Sequence, residues 1–117
     1  MSFNQGDIVW IDWRYIDKID LQEKKPRPCL VISNKDSNDL DNDVLLCPIT
    51  TNTRLNKFTV LLDNSDLSRS LPKKSELRAN KIFTYKSSLI IGKHCEIIND
   101  LLLESILQKV FSAIKKL

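Results

Sequence analysis

The chain has 117 residues and a mass of 13.5 kDa, with 42% hydrophobic residues, 28% charged residues and a formal net charge of +3. That length suits one domain, because single cores usually run to about 100–150 residues, and the near-average apolar content with small net charge excludes a disordered chain. Two glycines and four prolines exclude collagen-like or linker composition, and no apolar run approaches the roughly 20 residues that cross a bilayer.

The first seven residues carry no basic region and no apolar stretch, so no secretory signal is expected and the expected compartment is the cytoplasm. Residues Asp7 to Trp13 are β-branched and aromatic and predict a first strand, with Trp10 and Trp13 as packing residues. Residues 14–26 are polar and charged. They predict a long first loop, a length often tied to function. Arg27 to Ser33 predicts a second strand, opened by Pro28 where a ladder N–H is dispensable. Asn34 to Asn42, rich in Asn, Asp and Ser, predicts a turn. Asp43 to Ile49 predicts a third strand with a polar exit at Thr50 to Thr53, and Lys57 to Leu62 a fourth. Asp63 to Lys74 reads as a polar loop. Leu77 to Tyr85 and Leu89 to Ile98 predict two more strands, with a bulge expected at Gly92.

The end of the chain changes period. Asn99 is a good N-cap, and Leu103, Ile106, Leu107, Val110, Phe111, Ile114 and Leu117 recur at helical spacing. Lys115 and Lys116 are expected in the last turn, where they suit the helix dipole. Short strands followed by one amphipathic helix predict a small, mostly antiparallel barrel or sheet with the helix packed on it. The whole chain, 1–117, is expected to be one domain.

The residue inventory narrows the chemistry. Cys29 and Cys47 lie inside apolar runs and read as small core residues. His94 and Cys95 are adjacent, so on a strand they point to opposite faces and make a poor nucleophile pair. No Cys-x-x-Cys and no His pair at ligand spacing is present, so no metal site is expected. No glycine-rich phosphate loop and no Ser-centred elbow appears either. The charge is split: residues 1–50 carry six Lys/Arg against nine Asp/Glu, whereas residues 51–117 carry twelve against six. The basic half suits a polyanion, or is simply a solvated surface. Two strand-end residues beside polar loops remain. Arg27 offers a planar fork of donors that matches a phosphate, and Thr50 offers a hydroxyl to a developing oxyanion. A surface pair of Arg27 with Glu23 and a turn role for Thr50 are the plain alternatives.

Three segments in order, Gly6-Asp7-Ile8-Val9-Trp10, Arg27-Pro28-Cys29-Leu30-Val31-Ile32-Ser33 and Cys47-Pro48-Ile49-Thr50-Thr51, resemble the MazF/PemK/Kid family of type II toxin endoribonucleases. The later Ser75 to Thr84 region and the final amphipathic helix fit the same pattern, so the resemblance spans nearly the whole chain. It implies a mostly β fold with α, an SH3-like antiparallel barrel of the CcdB/PemK type, working as a homodimer in the cytoplasm. It implies cleavage of single-stranded RNA at short sequences, without metal or cofactor, by attack of a ribose 2′-OH on the adjacent phosphate. It also implies a cognate antitoxin whose disordered tail folds into a groove of the dimer.

By the same resemblance, Arg27 stabilises phosphate charge and delivers a proton, and Thr50 positions the phosphate or the 2′-OH. Arg78, Asn80, Lys81, Thr51 and Lys25 are the implied substrate-binding residues. The chain departs from the family at three places. Asn80 stands where relatives carry a carboxylate, and a neutral amide cannot accept a proton as a general base. Leu21 lies near the place of a loop His, and Lys25-Pro26 replaces the usual Gly before the Arg-Pro pair, which stiffens the loop exit. Two alternatives follow: a catalytically impaired RNA- or protein-binding module on the same barrel, or a protein-directed toxin like those of the gyrase-directed CcdB group.

Overall fold

Strands dominate because the apolar runs are short, β-branched and broken by polar turns. The computed structural model describes residues 2–13 and 25–117. Within them the strands are β1 (Asp7–Asp12), β2 (Pro26–Val31), β3 (Asp43–Thr50), β4 (Thr59–Leu62), β5 (Ser75–Arg78), β6 (Phe83–Lys86) and β7 (Gly92–Glu96). Two helices join them, α1 (Lys35–Asp41) and α2 (Asp100–Ile114). Most of the predicted first loop, with Leu21 and Glu23, lies outside the described residues. Among the described residues no helix is long and apolar enough to cross a membrane.

The strands pair in the order β4-β5-β3-β2-β1-β7, every pair antiparallel, with β6 beside β3. The result is the expected mostly β fold, an antiparallel half-barrel carrying a C-terminal helix. Burial on both faces explains why the strands read as continuous apolar runs. Ile8, Leu30, Cys47 and Ile49 point into one core with Leu77 and the α2 residues Ile106 and Val110. Their neighbours Val9, Cys29, Val31 and Leu46 point into a second, with Phe3, Val44 and Tyr85. Period-two alternation thus fills both sides of the sheet. Gly6 turns the chain into β1 with φ +96°, and a Cβ there would stand 3.3 Å from Leu103 Cδ2 on α2.

Several expectations change. Residues 34–42 are not a turn but the helix α1, capped by Asn34, whose side chain accepts from the Ser37 N–H at 3.1 Å, and closed by Asn42 at φ 56°. Its inward residue is the polar Asn38, which bonds Ser33 and the carbonyl of Phe3, so no apolar period marked it. Leu77 to Tyr85 is not one strand. β3 is eight residues long; β6 pairs with its first half and β5 with its end, and a turn at residues 79–82 spans the gap. The expected bulge at Gly92 falls elsewhere: Gly92 pairs with Trp10, and the register slips between Ile8 and Val9, where His94 is the extra residue. Helix α2 ends at Ile114, so Lys115 is its cap rather than a last-turn residue. Phe111, Ile114 and Leu117 at the end of the predicted stripe are exposed.

Candidate active site

The site is set by the β2–β3 ladder. Cys29 lies opposite Pro48, Leu30 opposite Cys47 and Val31 opposite Leu46. Carried two residues further, the same register sets Arg27 opposite Thr50. By alternation both side chains stand on the face of the second core, at the point where that core runs out. Pro28 and Pro48 have no N–H to give, so the ladder opens here.

Arg27 and Thr50 form a ridge between two depressions, and both residues line both of them. One depression, about 430 Å³, has an apolar wall of Trp13, Pro48, Ile82 and Phe83, with Arg78 and Lys81 adding charge. The rings of Trp13 and Phe83 meet edge to face at 5.8 Å. The other, about 440 Å³, is walled by Trp10, Leu71 and Pro72 and carries Thr51, Asn52, Lys73 and Ser75. Among the described residues, three cations flank the first depression and two the second, and no carboxylate or imidazole lines either.

Arg27 is exposed, and among the described residues its Nη1 donates to the carbonyl of Pro26 at 3.3 Å. Thr50 Oγ1 accepts from the Asn52 N–H at 3.1 Å, which leaves the hydroxyl proton directed away from its own backbone. Arg78 is largely covered; its Nη2 donates to the Asn52 carbonyl at 3.0 Å. The Lys81 backbone N–H closes the turn on the Arg78 carbonyl at 3.3 Å. The structure therefore brings Arg27, Thr50, Thr51, Arg78 and Lys81 together. It does not bring in Asn80, which is exposed in the turn after β5, or Lys25, whose backbone N–H donates to Asp12 Oδ1 at 3.3 Å; neither lines a depression.

Sequence reasoning missed Glu76. Its carboxylate is wholly buried beneath the site: Oε1 accepts from the Arg54 N–H at 2.9 Å and Oε2 from the Leu55 N–H at 3.3 Å. The available signal was its spacing from Arg78, which puts both side chains on one face of β5. Lys73 was missed for the plainer reason that it sits in an irregular loop. Trp10 and Trp13, read as packing residues, are half-buried walls of the depressions.

The three cysteines are buried and free, and none lines either depression. Burial pushes the Cys47 thiol up to about 12, and burial together with the neighbouring Cys47 pushes Cys29 up as well. His94 donates from Nε2 to the Ser70 carbonyl at 2.8 Å and packs edge-on against Trp10; it lines neither depression. Among the described residues no group of three His, Cys, Asp or Glu side chains is gathered as for a metal ion.

Comparison with known proteins bears on the family and the fold. Residues 4–116 match the family described as PemK-like, MazF-like toxin of type II toxin-antitoxin system. No curated protein is significantly similar in sequence. Among solved structures, an endoribonuclease in complex with its cognate antitoxin from a mycobacterial species superposes with a TM-score of 0.75 at 20% identity, covering 97% of this chain and 95% of that one. The MazE-MazF complex of Deinococcus radiodurans superposes with a TM-score of 0.75 at 19% identity over 100% and 99% of the two chains. The Mycobacterium tuberculosis toxin MazF-mt6 gives 0.68 at 18% identity over 92% and 94%.

Proposed function

The chain belongs to the PemK-like, MazF-like toxin family of type II toxin-antitoxin systems, and on that premise we propose that it is an endoribonuclease cutting single-stranded RNA at short specific sequences. The observation that carries this reading is the Arg27–Thr50 ridge between two depressions that are apolar at their walls and cationic at their rims. A phosphate seated on the ridge would leave the flanking nucleotides on either side, over surfaces that include aromatic rings. Base stacking on such rings contributes about 1–3 kcal/mol per base.

The reaction is a transfer within the RNA. The ribose 2′-oxygen attacks the adjacent phosphorus and loses its proton, the bond from phosphorus to the 5′-oxygen breaks, and that oxygen takes a proton. The products are a 2′,3′-cyclic phosphate and a free 5′-OH. Charge builds on the phosphate oxygens in the transition state. Arg27 meets it with a planar fork that stays charged at any working pH. Thr50 donates its remaining proton to a phosphate oxygen or orients the 2′-OH. Arg78 and Lys81 add positive charge on one side and Thr51 a hydroxyl on the other. Lys25 and Asn80 contact only RNA that extends beyond the depressions. With no carboxylate or imidazole among the described wall residues, the contribution of these residues is positioning and charge stabilisation.

The working unit in this reading is one toxin domain, residues 1–117, acting as a homodimer in the cytoplasm. Its partner is an antitoxin whose acidic, disordered tail folds over the cationic rims. The lack of a base among the described wall residues favours a second reading, an RNA-binding module that has lost its chemistry. Incubation with a long single-stranded RNA in EDTA separates the two. Cuts at a recurring short sequence, abolished by Arg27→Ala, support the enzyme; salt-sensitive binding with intact RNA supports the module.

A further inference from the structure

The first turn of chain after Thr50 is held by a closed ring of contacts. Thr50 Oγ1 accepts from the Asn52 N–H. The Asn52 carbonyl accepts from Arg78 Nη2. Arg78 Nε faces Glu76 Oε1 at 3.8 Å. Glu76 in turn lies directly opposite Thr50 in the β3–β5 ladder. The two oxygens of Glu76 take the backbone N–H groups of Arg54 and Leu55.

Two features set this carboxylate apart from an ordinary surface acid. It is fully buried in a central strand, flanked by β3 and β4, at a position where a Val or Ile would fit the pleat. Burying a charge there is costly unless it is paired and hydrogen-bonded. It also holds a strained residue: Leu55 has φ 52°, a left-handed conformation that β-carbon sterics disfavour, and its side chain is exposed, so packing does not fix it.

We infer that Glu76 is a positioning residue of the active site, which fixes the Thr50 hydroxyl and the Arg78 guanidinium by clamping the 52–55 backbone. The inference rests on the endoribonuclease reading and adds to it a residue that touches no RNA. A carboxylate serves because both of its oxygens face N–H donors. In Glu76→Gln the amide has one oxygen, and its NH2 would confront either the Arg54 or the Leu55 N–H. The loop would then release Asn52, and with it both site side chains.

The test uses the full chain and a single-stranded RNA bearing its mapped cut site. For Glu76→Gln that melts as a folded protein, kcat is expected to fall at least about tenfold while KM changes less than about threefold. The amide signals of Arg54 and Leu55 are expected to be protected from exchange in the wild type and to lose that protection in Glu76→Gln. A folded Glu76→Gln with wild-type kcat overturns the inference while leaving the endoribonuclease reading intact. A wild-type protein that cuts no RNA overturns that reading itself. If Glu76→Gln does not fold, the exposed loop decides: Arg54→Ala keeps the clamped N–H and Arg54→Pro removes it. A kcat at least about fivefold lower for the Pro variant than for the Ala variant supports the clamp, and equal values overturn it.

Discussion

Arg27 and Thr50 lie at the open end of the β2–β3 ladder, each two residues beyond its last pair, Cys29 and Pro48, and each lines both depressions of the site. A phosphate bridging them would meet a fixed cation and a hydroxyl donor at once. The pairing makes the two residues separable by substitution, because neither supports the core.

Arg27 is exposed and, among the described residues, bonded to its neighbour's carbonyl, so its removal is expected to leave the melting temperature unchanged. Cleavage is expected to fall on the order of 10²–10³-fold in Arg27→Ala, the usual loss for one preorganised oxyanion donor. Arg27→Lys keeps the charge but loses the fork, and is expected to recover only part of the rate. Initial rates on a defined RNA, alongside thermal melts of both variants, check this.

In the proposed mechanism Thr50 acts through its hydroxyl. Thr50→Ser is therefore expected to keep most of the activity, and Thr50→Ala to lose about 10–100-fold. In the double variant with Arg27→Ala the losses are expected to be less than multiplicative, because both groups act on one phosphate. Single-turnover rates for the four proteins give the coupling directly.

Stability resides elsewhere. Leu77 is fully buried on β5 in the core beneath α2, beside Ile49 and Ile106. Leu77→Ala is expected to cost about 2–5 kcal/mol, the range for a large-to-small change in a packed core. Denaturant unfolding measures it, and activity per folded molecule is expected to persist at low temperature.

The buried thiols give a pH dependence with a definite sign. Burial holds Cys47 protonated up to about 12 and raises Cys29 too, whereas an unfolded thiol ionises near about 8.5. Above that pH the unfolded chain releases protons that the folded chain keeps, so stability falls as pH rises. It is fully present below about pH 8.5 and is lost progressively toward the folded values. Urea midpoints between neutral pH and pH 10 are expected to drop less in a Cys29→Ala, Cys47→Ala variant than in the wild type, each read against its own neutral value. At pH 8 a thiol reagent is expected to modify Cys29 and Cys47 only at the rate of unfolding.

The central strands were legible as short β-branched apolar runs broken by polar turns, and the long helix because its apolar residues recur at the helical period. Arg27 and Thr50 stood out as polar residues at strand ends. What the sequence concealed was long-range. Helix α1 rests on capping and a buried Asn38 rather than on an apolar stripe. The break between β5 and β6 comes from where each meets β3, which no local pattern records. Glu76 looks like any charged strand residue until its partners, Arg54 and Leu55, fold back from more than twenty positions away. Asn80 and Lys25 were named by motif position; their chain neighbours Lys81 and Pro26 line the depressions, but they themselves do not.

Lys73 and Lys81 test the rims. They lie on opposite sides of the ridge, Lys81 in the depression with Trp13 and Lys73 in the one with Trp10. Each is exposed, so replacement by Ala is expected to leave the fold intact. If each neutralises one phosphate of a bound single strand, each substitution removes about 0.7 from the slope of log affinity against log salt. Affinity is expected to weaken similarly across RNA sequences, because a phosphate contact carries no base information. Binding isotherms of an uncleavable 2′-deoxy strand at several salt concentrations give the slopes. If RNA crosses the ridge, both single variants lower the slope and the double variant lowers it by the sum; if RNA stays on one side, only one of them does.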